Sequence, residues 1–276
     1  MNYIELTVKL QPAKPFTEIF ISALGEEGFE SFVETDEGFQ AYIQESDYTE
    51  DMEKSSWAWQ LEGVAIQSHR KLIPRENWNK NWEDSFEPIL VDDQVYIFAP
   101  FHQPKPEIPH QILIEPKMSF GTGHHATTNL MVQFILETHC SGKTILDMGC
   151  GTGILAILAM QRGALKSVAI DIDDWSIENT IENAQRNKVP LETRLGGAEL
   201  LHDELFDIIF ANINLNVLLA DVEAYSNVLK PQGIIIFSGF YEEDLSVLQN
   251  TAKPLGLSLK STKTKDKWMS AIFVKK

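Results

Sequence analysis

Cysteine is almost missing from this chain, with only Cys140 and Cys150 among 276 residues. Two cysteines build neither a disulfide framework nor a cysteine-rich zinc site, and a reducing cytoplasm is the expected compartment. No apolar run approaches the roughly 18 residues of a membrane span, so no membrane association is expected. The start, Met1-Asn2-Tyr3-Ile4-Glu5, carries neither the basic nor the apolar part of a secretion signal. Repeats and low-complexity tracts are missing as well. Positive charge is scarce: 23 Lys and Arg stand against 40 Asp and Glu, a balance of −17. Such a surface repels phosphate backbones and attracts cationic or basic partners, so direct nucleic acid binding is not expected without a local basic patch.

What the chain does have is a hydrophobic fraction of 43%, enough for a sizeable core. It also has one stretch around which the rest is organised: Thr144-Ile145-Leu146-Asp147-Met148-Gly149-Cys150-Gly151-Thr152-Gly153-Ile154-Leu155. An apolar run ends in an acid, three alternate glycines follow, and an apolar helical pattern begins. This reads as strand, tight loop and helix start, with glycines that let a ligand approach the backbone and helix amides that point at it. A dinucleotide fingerprint needs G-x-G-x-x-G, and Ile154 stands where its last glycine belongs. The G-x-G-x-G spacing behind an acid instead resembles the first motif of class I methyltransferases. Their ligand, S-adenosylmethionine, has no pyrophosphate but carries an ammonium that suits a carboxylate such as Asp147. A second apolar run, Ser167-Val168-Ala169-Ile170-Asp171, ends in an acid about twenty residues on, one βαβ unit downstream, where it can accept both ribose hydroxyls of a nucleoside. Asp173 and Asp174 stand closer to the next helix and are better placed to cap it.

Residues 1 to about 73 read as a separate α+β unit. Tyr3 to Val8, Phe29 to Val33, Phe39 to Ile43 and Leu61 to Leu72 have strand character. Phe16, Ile19, Phe20 and Leu24 share a helix face, and Thr49 to Trp59 is helix-compatible. The order β-α-β-β-α-β suggests a ferredoxin-like fold. In the following segment Trp78, Trp82 and Phe86 recur every four residues, one aromatic stripe if helical. Ile89 to Phe98 and Gln111 to Ile114 are read as strands. Then Phe120-Gly121-Thr122-Gly123-His124-His125-Ala126-Thr127-Thr128 crowds glycines, histidines and threonines before an apolar helix. Thr127 or Thr128 is placed to cap that helix, whose mouth offers donors to a ligand carboxylate. Adjacent histidines without nearby cysteines or spaced carboxylates make a poor metal site. Further on, Phe206 to Ala211 is a strand that stops at Asn212-Ile213-Asn214. Polar residues at that edge lie where open α/β sheets bind ligands, unless they only form the turn. A turn at Leu229 to Gly233, a strand Ile234 to Ser238, a helix from Glu242 to Ala252 and a hairpin, Leu257 to Thr264 with Trp268 to Val274, close the chain.

The Phe120 to Thr128 stretch, the Asp147 to Gly153 loop, Ile170-Asp171-Ile172-Asp173, Ala211-Asn212-Ile213 and the tryptophan segment together resemble the bacterial methyltransferases of ribosomal protein L-eleven (the PrmA family). The motifs span about residues 74 to 240. The resemblance implies an α/β class I methyltransferase fold: a Rossmann-like, mostly parallel seven-stranded sheet with a C-terminal antiparallel hairpin, preceded by the ferredoxin-like domain. The domains expected are 1–73 for substrate recognition, 74–88 as an aromatic linker helix and 89–276 for methyl transfer. The resemblance implies S-adenosyl-L-methionine as cofactor, with contacts at Thr128, Gly149, Asp171 and Asn212. With the residues read directly, the expected cofactor set is Thr128, Asp147, Gly149, Gly151, Gly153, Asp171 and Asn212. Ribosomal protein L-eleven is the implied substrate, methylated at several amino groups by a monomeric cytoplasmic enzyme. Asn212 is the expected catalytic residue, its amide oxygen holding the attacking amine, and no metal is needed. The chain departs from related enzymes in two places. No acid directly follows Gly196-Gly197, where many methyltransferases hold the adenine amino group. Asn212-Ile213-Asn214-Leu215 also lacks the Pro-Pro-aromatic of many amino-methylating enzymes. Methyl transfer to another protein, to RNA or to a small molecule, and a nucleoside-binding module without turnover, are the alternatives.

Overall fold

The computed structural model describes residues 2–74, 83 and 86–276. The chain divides into two compact units, Met1–Ser85 and Phe86–Lys276.

In the first unit, strand alternation buries Ile4, Leu6, Val8 and Leu10 of β1 (Tyr3–Gln11) on one face. β1 lies between β3 (Gly38–Gln44) and β4 (Ala65–Ile73), and β2 (Ser31–Thr35) adds to β3, all antiparallel, in the order β2-β3-β1-β4. The buried face receives Phe20, Ala23 and Leu24 of α1 (Phe16–Glu26), and a second crossover supplies α2 (Glu50–Ser55) and a 3-10 turn, Trp57–Gln60. This is the ferredoxin-like order. β4 begins at Ala65 and not at Leu61, because Glu62-Gly63 turns the chain with Gly63 at φ +87°. The linker helix expected over 74–88 lies mostly outside the described residues; Phe86 to Pro88 are not helical.

The second unit opens with β5 (Ile89–Val91), β6 (Val95–Phe98) and β7 (His110–Leu113), a separate three-stranded sheet. The single strand expected from Ile89 to Phe98 is a hairpin, because Asp92 and Asp93 both take φ near +50°, the turn that matches strand twist. The large sheet then runs β10-β9-β8-β11-β12-β14-β13. Its strands are β8 (Thr144–Met148), β9 (Lys166–Asp171), β10 (Glu192–Leu195), β11 (Phe206–Asn212), β12 (Leu229–Tyr241), β13 (Leu257–Lys265) and β14 (Trp268–Lys275). Pairing is parallel from β10 to β12 and antiparallel in the closing hairpin. α3 (Ala126–Glu137) and α4 (Ile154–Gln161) cover one face, and α6 (Leu215–Val228) and α7 (Leu245–Ala252) the other. α5 (Asp174–Arg186) follows β9. The expected turn at Leu229–Gly233 lies within the bounds of β12 as an irregularity: pairing with β11 jumps from Leu229 to Ile234, and Gln232 has φ +62°. The helix expected from Glu242 begins as a 3-10 turn and becomes α-helical at Leu245. Strand order reverses between β8 and β11, so their carboxyl ends open a crevice.

One carboxylate ties three strands at the opposite, amino edge. Asp207 on β11 accepts hydrogen bonds from the Thr144 amide (2.9 Å) and hydroxyl (2.8 Å) on β8 and from Lys230 Nζ (2.8 Å) on β12. Partial burial pushes its pKa up, but the hydrogen bonds from Lys230 and Thr144 outweigh that and hold the carboxyl far below the usual range. Stability from a depressed carboxylate is full above its unfolded pKa of about 3.9 and is lost as pH falls below it. Asp207→Asn is therefore expected to cost about 1.5–3 kcal/mol at neutral pH, and the gap to the native chain should close as urea unfolding is repeated below pH ~4. A pH-independent gap would show that the charge is not what stabilises.

Candidate functional site

The glycine loop turns at the carboxyl end of β8. Gly149, Gly151 and Gly153 all have positive φ, at +66°, +56° and +77°. Space as well as conformation demands glycine at the first two. A Cβ on Gly149 would lie 2.3 Å from Ile213 Cγ2, and one on Gly151 would lie 2.2 Å from the Phe120 carbonyl oxygen. The Phe120 to Thr128 segment is thus clamped onto the loop. Thr152 donates its amide to Phe120 O (2.9 Å) and its hydroxyl to Gly121 O (2.7 Å). Gly153 caps α4 and faces Thr180 of α5, away from open space.

α5 holds the loop from behind with asparagines one turn apart. Asn183 donates to Thr152 O (3.0 Å) and accepts from the Glu115 amide (2.9 Å). Asn187 pairs with both backbone groups of Leu113, at 2.9 and 2.7 Å, as a neighbouring strand would. A helix face thereby serves as hydrogen-bonding partner for the chain leaving β7.

A cavity of about 590 Å³ opens over the carboxyl ends of β8, β9 and β11. Gly149, Gly151, Asp171 and Asn212 line it; Thr128, Asp147 and Gly153 do not. Asp171 is 8% exposed, and its oxygens accept from the Gly151 amide (2.9 Å) and the Asp173 amide (3.1 Å). Each oxygen keeps a lone pair for a ligand hydroxyl. Asp147, expected to face an ammonium, is buried behind the loop with Oδ2 on the Ala156 amide (3.1 Å) in the first turn of α4. Burial pushes its pKa well up, the Ala156 amide opposes this, and the nearby Asp171 raises it further. Thr128 is wholly buried, and its neighbour Thr127 reaches the cavity wall. The expected cap of α3 at Thr127 or Thr128 is His125, whose Nδ1 accepts the Thr127 amide at 3.3 Å. Asn214 likewise caps α6 through the Val217 amide, at 3.2 Å. Of the two asparagines at this edge, then, Asn214 forms the turn. Asn212 is free of that duty, and its buried Oδ1 has no hydrogen-bond partner among the described residues, as is also true of Ser119 Oγ at the same cavity.

The far wall gave no signal in the sequence. The His125 ring stands edge-on between Phe120 (5.2 Å) and Trp268 (4.9 Å), and Trp268 meets Tyr241 at 4.3 Å. Tyr241 and Trp268 are paired across β12 and β14, so the hairpin brings an aromatic from the chain end to the cavity. Gly239 on β12 abuts the Ile213 backbone, where a Cβ would lie 2.2 Å from Ile213 O. Ile213, following Asn212, is therefore fixed between two glycines. The adjacent histidines have separate tasks: His125 caps α3, and His124 bonds Thr122 Oγ1 (3.1 Å) and the Glu87 carbonyl (2.9 Å). No cluster of three or more His, Cys, Asp or Glu suited to a metal occurs among the described residues.

A family model described as ribosomal protein L11 methyltransferase (PrmA) matches residues 14–276. A ribosomal protein L11 methyltransferase of Porphyromonas gingivalis is 44% identical over 93% of this chain and 90% of its own length. That of Phocaeicola vulgatus is 42% identical over 100% of both. Among solved structures, a ribosomal protein L11 methylase from Lactobacillus delbrueckii subsp. bulgaricus is similar with a TM-score of 0.64 and 27% identity, covering 69% of this chain and 100% of that one.

The clamp between the two loops predicts a specific failure. Gly151→Ala forces a methyl group against the Phe120 carbonyl in a left-handed backbone, at a cost of about 1–3 kcal/mol. The Thr152 amide should then exchange hydrogen faster than in the native chain, with a lowered melting temperature. Unchanged protection at Thr152 would mean the loops do not depend on each other.

Proposed function

The chain belongs to the ribosomal protein L11 methyltransferase family, and from that premise we propose that it uses S-adenosyl-L-methionine to methylate amino groups of ribosomal protein L11. The cavity residues suit this cofactor. Asp171 is a nearly buried carboxylate with lone pairs to spare for ribose hydroxyls, and Gly149 and Gly151 leave backbone exposed where a side chain has no room. When bound, the cofactor supplies a methyl group on a positively charged sulfur. The observation that carries the reading is Asn212: its Oδ1 is buried, without a partner, at the wall of the cavity beside Gly149. An unsatisfied buried acceptor costs about 1–3 kcal/mol, so it marks a place where a donor belongs.

An amine attacks only when neutral, and lysine in water has a pKa near 10.4. Asn212 Oδ1 can accept an N–H from a neutral amine and so aim the nitrogen lone pair; holding the reacting atoms in line supplies much of the rate. His125 is unsuited as the base through Nδ1, which the Thr127 amide occupies, and we assign the proton to water. Asp147 and Gly153 act from behind, fixing the start of α4, and Thr128 is buried beside Thr127 of the cavity wall. Recognition of the protein substrate is assigned to the amino-terminal unit, since every residue of the cofactor cavity lies after Phe86. The −17 net charge suits a basic protein substrate.

Mass spectrometry of purified ribosomal protein L11 after incubation with enzyme and S-adenosylmethionine tests the reading directly, 14-Da increments being the expected result. Transfer to RNA with none to the protein would overturn it. Asp171→Ala should weaken calorimetric affinity for the cofactor about 10–100-fold, as expected for a lost charged acceptor. Asn212→Ala should slow single-turnover methylation by about 10–100-fold with a smaller change in cofactor affinity. A rate loss that merely follows a fall in melting temperature would leave Asn212 a turn residue.

A further inference from the structure

Three carboxylates line the cavity: Asp171, Asp173 and Asp221. Asp171 and Asp173 follow from the second acidic motif. Asp221 does not belong to any motif; it sits on α6, one turn beyond Val217, and its place at the cavity is decided by the fold. Its Oδ2 accepts a hydrogen bond from the Tyr225 hydroxyl at 3.2 Å. Tyr225 is wholly buried in the core under the sheet, so this contact holds the carboxylate in place. Its Oδ1 accepts no hydrogen bond from the described residues and remains available.

Large apolar side chains line the same cavity as Asp221. Val217 of α6, Ile172 of the loop between β9 and α5, and Trp175 of α5 line the same cavity and are 38%, 75% and 49% exposed. Large apolar side chains left open at a cavity wall are surface that a ligand can cover. Gly196 and Gly197, at the end of β10, complete this part of the wall. The nearest acid after them, Glu199, is not at the wall. Its Oε1 accepts the Gly197 amide at 2.7 Å, and its side chain lies outside the cavity lining.

From this placement we propose that Asp221 is the acceptor for the exocyclic amino group of adenine, and so the residue that makes the cavity select adenine over a 6-oxo purine. The assignment rests on the S-adenosylmethionine reading above. The chemistry is a match of donors and acceptors. Adenine presents N–H at its 6-position to a carboxylate. Hypoxanthine presents an oxygen there, which a carboxylate repels and an amide can satisfy. A site built around such a pair rejects the wrong partner strongly, because a buried polar group is left unpaired.

The test is calorimetry of the full chain with two ligands, S-adenosyl-L-homocysteine and its deaminated counterpart S-inosyl-L-homocysteine. The native chain should prefer the adenosyl ligand by about tenfold or more. Asp221→Asn should lose affinity for the adenosyl ligand and gain it for the inosyl one, inverting or erasing the preference. Asp221→Ala should weaken only the adenosyl ligand, about 10–100-fold. Inverted selectivity cannot come from a misfolded variant, which would lose both ligands. Equal binding of the two ligands by the native chain overturns the assignment without any variant. So does an equal loss of both ligands in the folded variants. A raised KM for the protein substrate at unchanged affinity for both ligands also overturns it, and would move Asp221 to the substrate side. Failure of the native chain to bind S-adenosylhomocysteine at all would instead overturn the cofactor reading itself.

Discussion

The close approach of two backbones, at Phe120 and at Gly151-Thr152, is the constraint from which the rest of the site follows. A carbonyl oxygen occupies the space a side chain would need at Gly151, and Thr152 secures the contact with both its amide and its hydroxyl. The loop after β8 is therefore a surface for other backbone, and the residues before α3 become its outer wall. Ile213 presses on Gly149 and is itself pressed by Gly239. Three strand ends, those of β8, β11 and β12, are in this way locked to one another at the edge where the crevice opens, while Asp207 locks the same three strands at the other edge.

Polar side chains do structural work here that is usually left to strands. Asn183 and Asn187 give the chain after β7 a hydrogen-bonding neighbour made of helix side chains, and Asn183 carries the connection on to the glycine loop. Asn214 and His125 satisfy helix amides that would otherwise be orphaned. Asn212 Oδ1 is not alone in keeping its capacity: at or behind the cavity Ser119 Oγ, Thr128 Oγ1 and Asp147 Oδ1 are also buried without a partner among the described residues.

Acidity has different uses at different depths. Over the whole chain it leaves a net charge of −17. At the cavity wall Asp171 and Asp221 are each held by a neighbour while keeping capacity for a ligand. Behind the loop Asp147 is sealed from water, and burial raises its pKa. Burial and the same acid push the Cys150 thiol far up, which makes Cys150 a packing residue and not a nucleophile.

Legibility in the sequence followed the range of the interactions. The glycine loop, the two acids at strand ends and the class of fold could be read directly, because each depends on periodicity and turn chemistry within about twenty residues. A turn misled where a short-range pattern was ambiguous: Asp92-Asp93 splits an apolar run into a hairpin. Asp147 was recognised as part of the motif, while its contact to the Ala156 amide behind the loop shows only in the packed structure. Trp268, Gly239 and Asp221 carried no local signal at all. They reach the cavity because a parallel sheet gathers strand ends from distant parts of the chain, and because the antiparallel β14 returns its start to the edge where β12 ends. The sequence by itself determined the local geometry of the loop and the identity of the fold; tertiary structure decided which side chains share the space above it, since that depends on strand order and helix packing that no local pattern encodes.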